Sequence, residues 1–239
     1  MVDPKDTQSI NMSISEILSN ALSSEKTIRQ DAEGKLEALA LRNFPELLYN
    51  LATVLADEGQ TTKIRQMAST FIKKVITTAT EFKAVWQNTL DSASKDQIKN
   101  LILSTLATQY KEVRAAAALV IAGICKVDQP LNEKWPTLIA TLCQSSYHEN
   151  RNIKLAAIES LGYICEELSV GGLDSASVDN ILTAIIQNLN SCISDVDIVR
   201  VNLKAFYHVI KHAGKNFSRE VIIYNLKILY SIFLFLKII

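Results

Sequence analysis

Glycine and proline are scarce in this chain, seven and four among 239 residues. Few turns can be built from them, so the chain reads as mostly helical with polar breaks. Neither charge is in excess, since 25 bases face 25 acids. A dedicated nucleic-acid binder usually carries a basic surplus, and that class is set aside. Cysteine is limited to Cys125, Cys143, Cys165 and Cys192, with no CxxC pair. His148, His208 and His212 do not complete a familiar ligand spacing with them. The expectation is reduced thiols that behave as small buried hydrophobes, with no metal and no cofactor. The opening MVDPKDTQSINMS lacks a basic-then-apolar leader, which predicts a cytosolic or nuclear protein. Catalytic signatures are missing too. Gly171-Gly172 is not followed by Lys-Ser/Thr, and neither HExxH nor GxSxG occurs. No catalytic residue is assigned and no enzyme is expected.

What the chain does contain is a phrase: a β-branched residue, a base, then small and apolar residues at helical steps. It reads Ile28-Arg29 with Ala32 and Leu36, then Ile64-Arg65 with Ala68 and Ile72. It returns as Val113-Arg114 with Ala117 and Ile121, and as Ile153-Lys154 with Ala157 and Leu161. A looser fifth copy is Val199-Arg200 with Leu203 and Tyr207. The intervals are 36, 49, 40 and 46 residues. Self-similarity at roughly 40 to 47 residues marks a HEAT or armadillo solenoid. The expected fold is all-α, a right-handed superhelical HEAT-repeat solenoid of about five helix pairs. Such a chain is a scaffold for partners.

Apolar spacing places the helices. Helices are expected over 12–22, 26–41 and from Asn43-Phe44-Pro45 to about Asp57, with Pro45 in the first turn. The second phrase helix runs 63–78 behind a Thr61 or Thr62 cap. Residues 79–94 read as the longest interruption, anchored by Trp86. Further helices are expected over 95–110, 111–125, from Trp135-Pro136 onward, to Leu168 behind an Asn150 or Asn152 cap, 178–190 and 197–212. Residues 126–134 and 171–177 read as loops.

The smaller clusters have plain readings. Glu166-Glu167 and Asp195-Val196-Asp197 lie near helix ends and read as solvated acids. His208 and His212 stand four apart without a completing ligand, which favours a helix-face and C-terminal dipole role. The repeated base reads first as a structural ladder pairing with acids of neighbouring repeats. The alternative is a partner-facing stripe. The last nineteen residues, VIIYNLKILYSIFLFLKII from Val221 to Ile239, differ in kind. Three readings stand: a membrane tail, weakened by Asn225, Lys227 and Lys237; a core helix whose partners are missing; or an AT-rich intron translated by read-through.

Several stretches carry a specific resemblance. They are Ala32-Glu33 with Leu36 followed by Phe44-Pro45, and Arg65-Gln66 with Ala68 and Lys73-Lys74 followed by Trp86. More specific are IAGICKVDQPLNEKWPTLI (121–139), ESLGYICEEL (159–168) and DNILTAIIQ (179–187). Over about residues 7 to 220 the chain resembles the amino-terminal part of the importin-β (karyopherin-β) family. The resemblance implies a first module over 1–78 with repeats 1 and 2. Repeats 3 to 5 and the start of a sixth would occupy 79–220, and 221–239 would be an atypical apolar tail. It implies a longer parent, a nuclear import receptor of cytoplasm, nucleus and nuclear pore. Implied partners are Ran-GTP, through Arg29, Glu33, Arg65, Gln66, Lys73 and Arg114, and nucleoporin FG repeats, through Leu182, Thr183 and Ile186. Those last three read equally as inter-helix core. Importin-α and cargo would bind further along, outside this chain, and neither nucleic acid nor membrane is an expected partner. The rival reading is a generic HEAT scaffold without Ran binding.

Overall fold

The computed structural model describes residues 12–213. The expectations for the opening residues and the three readings of 221–239 lie outside these described residues. Every regular element among them is a helix. In order they are α1 (Ile14–Ala21), α2 (Lys26–Ala56), α3 (Thr62–Thr77), α4 (Thr80–Asn88), α5 (Ser92–Ser104) and α6 (Lys111–Val127). Then come α7 (Leu131–Lys134), α8 (Leu138–Ser145), α9 (Arg151–Glu167), α10 (Ser175–Ser191) and α11 (Val196–Ala213).

Local chemistry explains most boundaries. Ser13 and Glu16 form a reciprocal capping box at the start of α1. Thr61 caps α3, Asp91 caps α5, Asn150 caps α9 and Asp174 caps α10, each through a side-chain oxygen. Helix α2 is two helices joined across Asn43, whose φ of −154° and ψ of 81° are not helical. Pro45 requires this break, because it lacks the N–H that would reach the Leu41 carbonyl and its ring would strike that carbonyl. Asn43 restarts the helix by accepting from the Glu46 N–H and donating to its carboxylate at 2.8 Å. The Pro45 expectation therefore holds to within one position.

The chain divides into two compact units at Val127. In the first, α3 packs against both α2 and α6, while α5 packs on α2 and α6. Leu48, Leu51, Leu55, Ile72 and Ile102 are fully enclosed there, each worth about 2 kcal/mol of apolar burial. In the second, α9 packs against α8 and α11, and α10 packs against α8 and α11. Each unit is thus helix pairs stacked in two layers, the HEAT-repeat arrangement. In the first unit the phrase-bearing helices (the first half of α2, with α3 and α6) pack side by side, and in the second α9 packs on α11 in the same way.

Some expectations need correction. Residues 80–88 form helix α4 rather than an interruption, although Trp86 is fully buried and anchors it as expected. Helix α5 starts and ends earlier than its apolar spacing predicts. Asp91 caps it at the front, and a 3-10 turn over Thr105–Ala107 follows it. Helix α10 begins at Ser175, inside the stretch read as loop, because Asp174 accepts from the Ser177 N–H at 2.7 Å. The preceding turn is tight: the Gly172 N–H reaches the Ser169 carbonyl at 2.9 Å with Gly171 at φ +89°. That conformation suits glycine at the third position of a type II turn.

Candidate functional site

The repeated base occupies the same place in four of the five phrase helices. Arg65 is 0% exposed. Its guanidinium donates to the Leu55 carbonyl at 2.8 Å, the Thr108 hydroxyl at 3.2 Å and the Glu58 carboxylate at 3.1 Å. It thereby ties the turn of its own helix pair to the turn of the next. Arg114 is 5% exposed and donates to the Thr108 carbonyl at 2.8 Å. Half-buried Arg29 donates to the Ser23 carbonyl at 3.0 Å, and Lys154 reaches the Cys192 sulfur at 3.5 Å. The ladder is structural, as the residues suggested, but its partners are mainly turn carbonyls, with Glu58 an added acid. The planar fork of arginine suits such convergent acceptors. The Arg65 hydrogen bond holds the Glu58 carboxyl below its usual range.

The fifth phrase is out of register. Buried Val199 sits where Arg65 sits in α3, so Arg200 falls one position later, with its side chain 67% exposed and bonded to Asp197 at 2.6 Å. The matching is carried by burial: Asn202, Phe206 and Val209 of α11 are enclosed like Ala68, Ile72 and Val75 of α3.

On the open side of the first unit, α3 and α6 leave a groove of about 570 Å³. Gln66 and Lys73 line it with Thr70, Glu112, Ala116 and Leu119. Gly123 keeps the two helices close, since a Cβ there would meet the Thr77 methyl at 3.1 Å. Glu33, exposed on α2, stands at the position equivalent to Ser69, another groove-lining residue. Of the six residues read as candidates for Ran, the structure thus brings Gln66 and Lys73 into one groove and leaves Glu33 exposed on a neighbouring helix. Arg65 and Arg114 offer almost no side-chain surface and are positioning residues, because their donors are spent on buried turns. The α6 side of the groove was not singled out in the sequence. The alanine-dense run 115–118 is the signal that marks it, since small residues leave a trough between packed helices.

The second candidate surface is on α10. Leu182 is buried, Ile186 half-buried and Thr183 exposed with its hydroxyl donating to the Asp179 carbonyl at 2.8 Å. These are neighbours on one helix face.

Polar ties across α9 and α11 were missed by the reading of 195–197 as solvated acids. Arg151 grips Asp195 through two bonds of 2.6 and 2.8 Å and Asp197 through a third of 2.9 Å. Asp195 also accepts the Asp197 and Ile198 N–H groups. The Arg151 hydrogen bonds draw its carboxyl down to about 2. His212 contacts the Cys165 carbonyl at 2.8 Å, and His208 lies 3.6 Å from Glu166. The His212 contact ties α11 to α9, while burial lowers the His208 pKa and weakens its pairing with Glu166. Burial pushes the Cys143 and Cys165 thiols up to about 11 and about 12. No disulfide joins the four cysteines, three of which are buried. Among the described residues no group of three or more His, Cys, Asp or Glu is placed to hold a metal ion.

Comparison with known proteins agrees with this geometry. The family described as Importin-beta N-terminal domain matches residues 32–108. Importin subunit beta-1 of Arabidopsis thaliana is 29% identical over 88% of this chain and 24% of its own. Importin subunit beta-1 of Schizosaccharomyces pombe is 30% identical over 87% of this chain and 25% of its own. The chain spans about a quarter of the length of these relatives. Among solved structures, importin β crystallised from ammonium sulfate superposes with a TM-score of 0.82 at 27% identity, over 91% of this chain and 26% of that one. Kap95 in complex with Nup1 gives 0.80 at 26% identity, over 91% and 26%. Kap95p bound to RanGDP gives 0.81 at 26% identity, over 92% and 26%. The domain match, the similarity to importin subunit beta-1 over most of this chain and the shared HEAT-repeat fold together support an amino-terminal portion of the importin-β family.

Proposed function

We propose that this chain is the receptor end of a nuclear import carrier: it binds Ran-GTP on the phrase helices of its first unit and FG nucleoporins on α10. The observation that carries the reading is the α3–α6 groove, which presents Gln66 and Lys73 on an accessible, partly apolar floor. The similar Kap95 structures, in complex with RanGDP and with Nup1, support the partner classes. Glu33, Gln66 and Lys73 are the contacting residues in this reading. Arg29, Arg65 and Arg114 position the helices that carry them. On α10, a phenylalanine ring would lie against Leu182 and Ile186 beside Thr183, with aromatic burial supplying the affinity. Cargo and importin-α fall outside this chain, and the parent would move between cytoplasm and nucleus through the pore. GTP hydrolysis would belong to Ran.

The test is binding of the 239-residue chain to Ran loaded with GTP against Ran loaded with GDP. A clear preference for the GTP form, reduced at least tenfold by Lys73→Glu with Gln66→Ala, is the expected result. Equal binding to both forms, or no effect of the double change, would favour a generic HEAT scaffold. For the second surface, Ile186→Asp is expected to abolish retention on immobilised FG peptide without moving the Ran result.

A further inference from the structure

Helix α6 has a glycine where every other phrase helix has a side chain. Nine residues after the phrase base stand Ala38 in α2, Lys74 in α3 and Tyr163 in α9, and, counted from Val199, His208 in α11. In α6 the position is Gly123. The repeat itself does not ask for glycine there. Its backbone does not either, because Gly123 lies inside a regular helix, where glycine is a poor choice. What the missing Cβ leaves is room for α3. A Cβ on Gly123 would stand 3.1 Å from the Thr77 Cγ2, 3.6 Å from the Lys73 Cγ and 4.0 Å from the Lys73 Cε. The Thr77 hydroxyl donates to the Lys73 carbonyl at 2.7 Å, which fixes its rotamer with the methyl against α6. The Lys73 stem therefore lies across bare backbone, and the residue is half-buried. A lysine that lays its methylenes on a neighbour keeps its ammonium at the water boundary. Here that boundary is the groove shared with Gln66, Thr70 and Glu112.

We propose that Gly123 is a positioning residue: by carrying no side chain it seats the Lys73 stem and sets the Lys73 ammonium at the α3–α6 groove. The inference rests on the reading of that groove as the Ran-GTP surface only for what docks there. A free lysine loses much rotamer freedom when a partner fixes it. A stem already laid against α6 has less to lose, so affinity rises without a new contact. The fixed ammonium also makes the groove selective, favouring a partner with an acceptor at that point and rejecting one with a base.

The experiment compares Gly123→Ala, Gly123→Val and the double change Gly123→Ala with Thr77→Ser, each in the full 239-residue chain. Two readings are taken. One is the rate at which an acetyl N-hydroxysuccinimide ester acylates the Lys73 amine, followed by peptide mass spectrometry. The other is affinity for Ran loaded with GTP. The branches of valine would fill the place of the Lys73 stem, so Gly123→Val is expected to give several-fold faster acylation and several-fold weaker binding. Gly123→Ala should lie between it and the parent. Thr77→Ser removes the methyl that the new Cβ meets at 3.1 Å and should return both readings of the alanine variant toward the parent. Alanine is also the better helix former, so the thermal midpoint of Gly123→Ala should hold while its binding falls. Binding that falls only in step with the thermal midpoint would overturn the proposal, as would an unchanged acylation rate at Lys73 in Gly123→Val. Faster acylation with parental affinity for Ran-GTP would overturn the role in partner binding. Should the valine variant not fold, the alanine variant and its serine rescue decide the matter. If the parent chain binds both nucleotide forms of Ran alike, the reading of the groove fails, and the acylation rates still decide whether Gly123 positions Lys73.

Discussion

The two units solve one problem with different chemistry. Each must fix the turn of a helix pair against its neighbour. The first does so from inside, with the guanidiniums of Arg65 and Arg114 enclosed among the Leu55 and Thr108 carbonyls and the Thr108 hydroxyl. The second has Lys154 against a thiol at the inner position and moves its arginine to the rim, where Arg151 grips Asp195 and Asp197. A buried, multiply bonded cation loses little to salt and much to mutation. An exposed ion pair behaves the opposite way. The lesson is that a repeat can keep its backbone while exchanging a buried donor for a surface clamp.

The comparison can be broken most sharply at Arg65. Arg65→Ala should cost the first unit about 3 kcal/mol, since it leaves buried acceptors unpaired. Arg65→Lys should recover only part, because a single ammonium nitrogen cannot reach three acceptors that three guanidinium nitrogens share out. Chemical denaturation followed by circular dichroism measures both, and a loss under about 1 kcal/mol for the alanine would show that the turns hold themselves.

Next in size is Gly162→Val, expected to destabilise the second unit by about 2 kcal/mol through overpacking against Ala205. Gly34→Ala is its control. Nothing lies within 4 Å of a Cβ there, so replacing a helical glycine should stabilise by up to about 1 kcal/mol. If both changes proved neutral, the close approach of α9 and α11 would carry no energetic weight.

Arg151→Ala should cost less, about 1 kcal/mol or under, and the cost should shrink as salt is added. A penalty equal at low and high ionic strength would place the clamp with the buried bases instead.

The smallest effect is in acid. The folded Asp195 carboxyl lies at about 2, below its ordinary value of 3.8. Its contribution is therefore complete above about pH 4 and is lost as pH falls toward 2. Arg151→Ala should flatten that part of the stability profile of the second unit, read by tryptophan emission at Trp135. An unchanged profile would remove Asp195 from the account. In the first unit, protonating Glu58 still leaves Arg65 its carbonyl and hydroxyl acceptors.

Much of the fold was legible because its causes are local. The Thr61 cap and the Pro45 break act within one turn of helix, so they can be read as spellings. Helix α4 was not legible. Its nine residues are too few to establish a period, and they are held by the enclosed Trp86 and by Phe82, which stacks on Phe44 at 4.9 Å. The site was legible by halves. Gln66 and Lys73 were named, whereas Glu112, Ala116 and Leu119 lie across the groove on another helix, at an i, i+4, i+7 spacing that only the packing assigns to this groove.

The residues alone determined the period of the chain, most of the helix pairs and the Thr61 and Asn150 caps, because hydrogen bonds four residues apart and apolar steps are properties of the local sequence. Only the packing decided what each base does. Arg65 and Arg200 stand in nearly the same phrase, yet one is enclosed and the other faces water. A shift of one residue turns a helix by about 100°, and that turn alone moves a base from the buried loop carbonyls of its neighbours to the solvent.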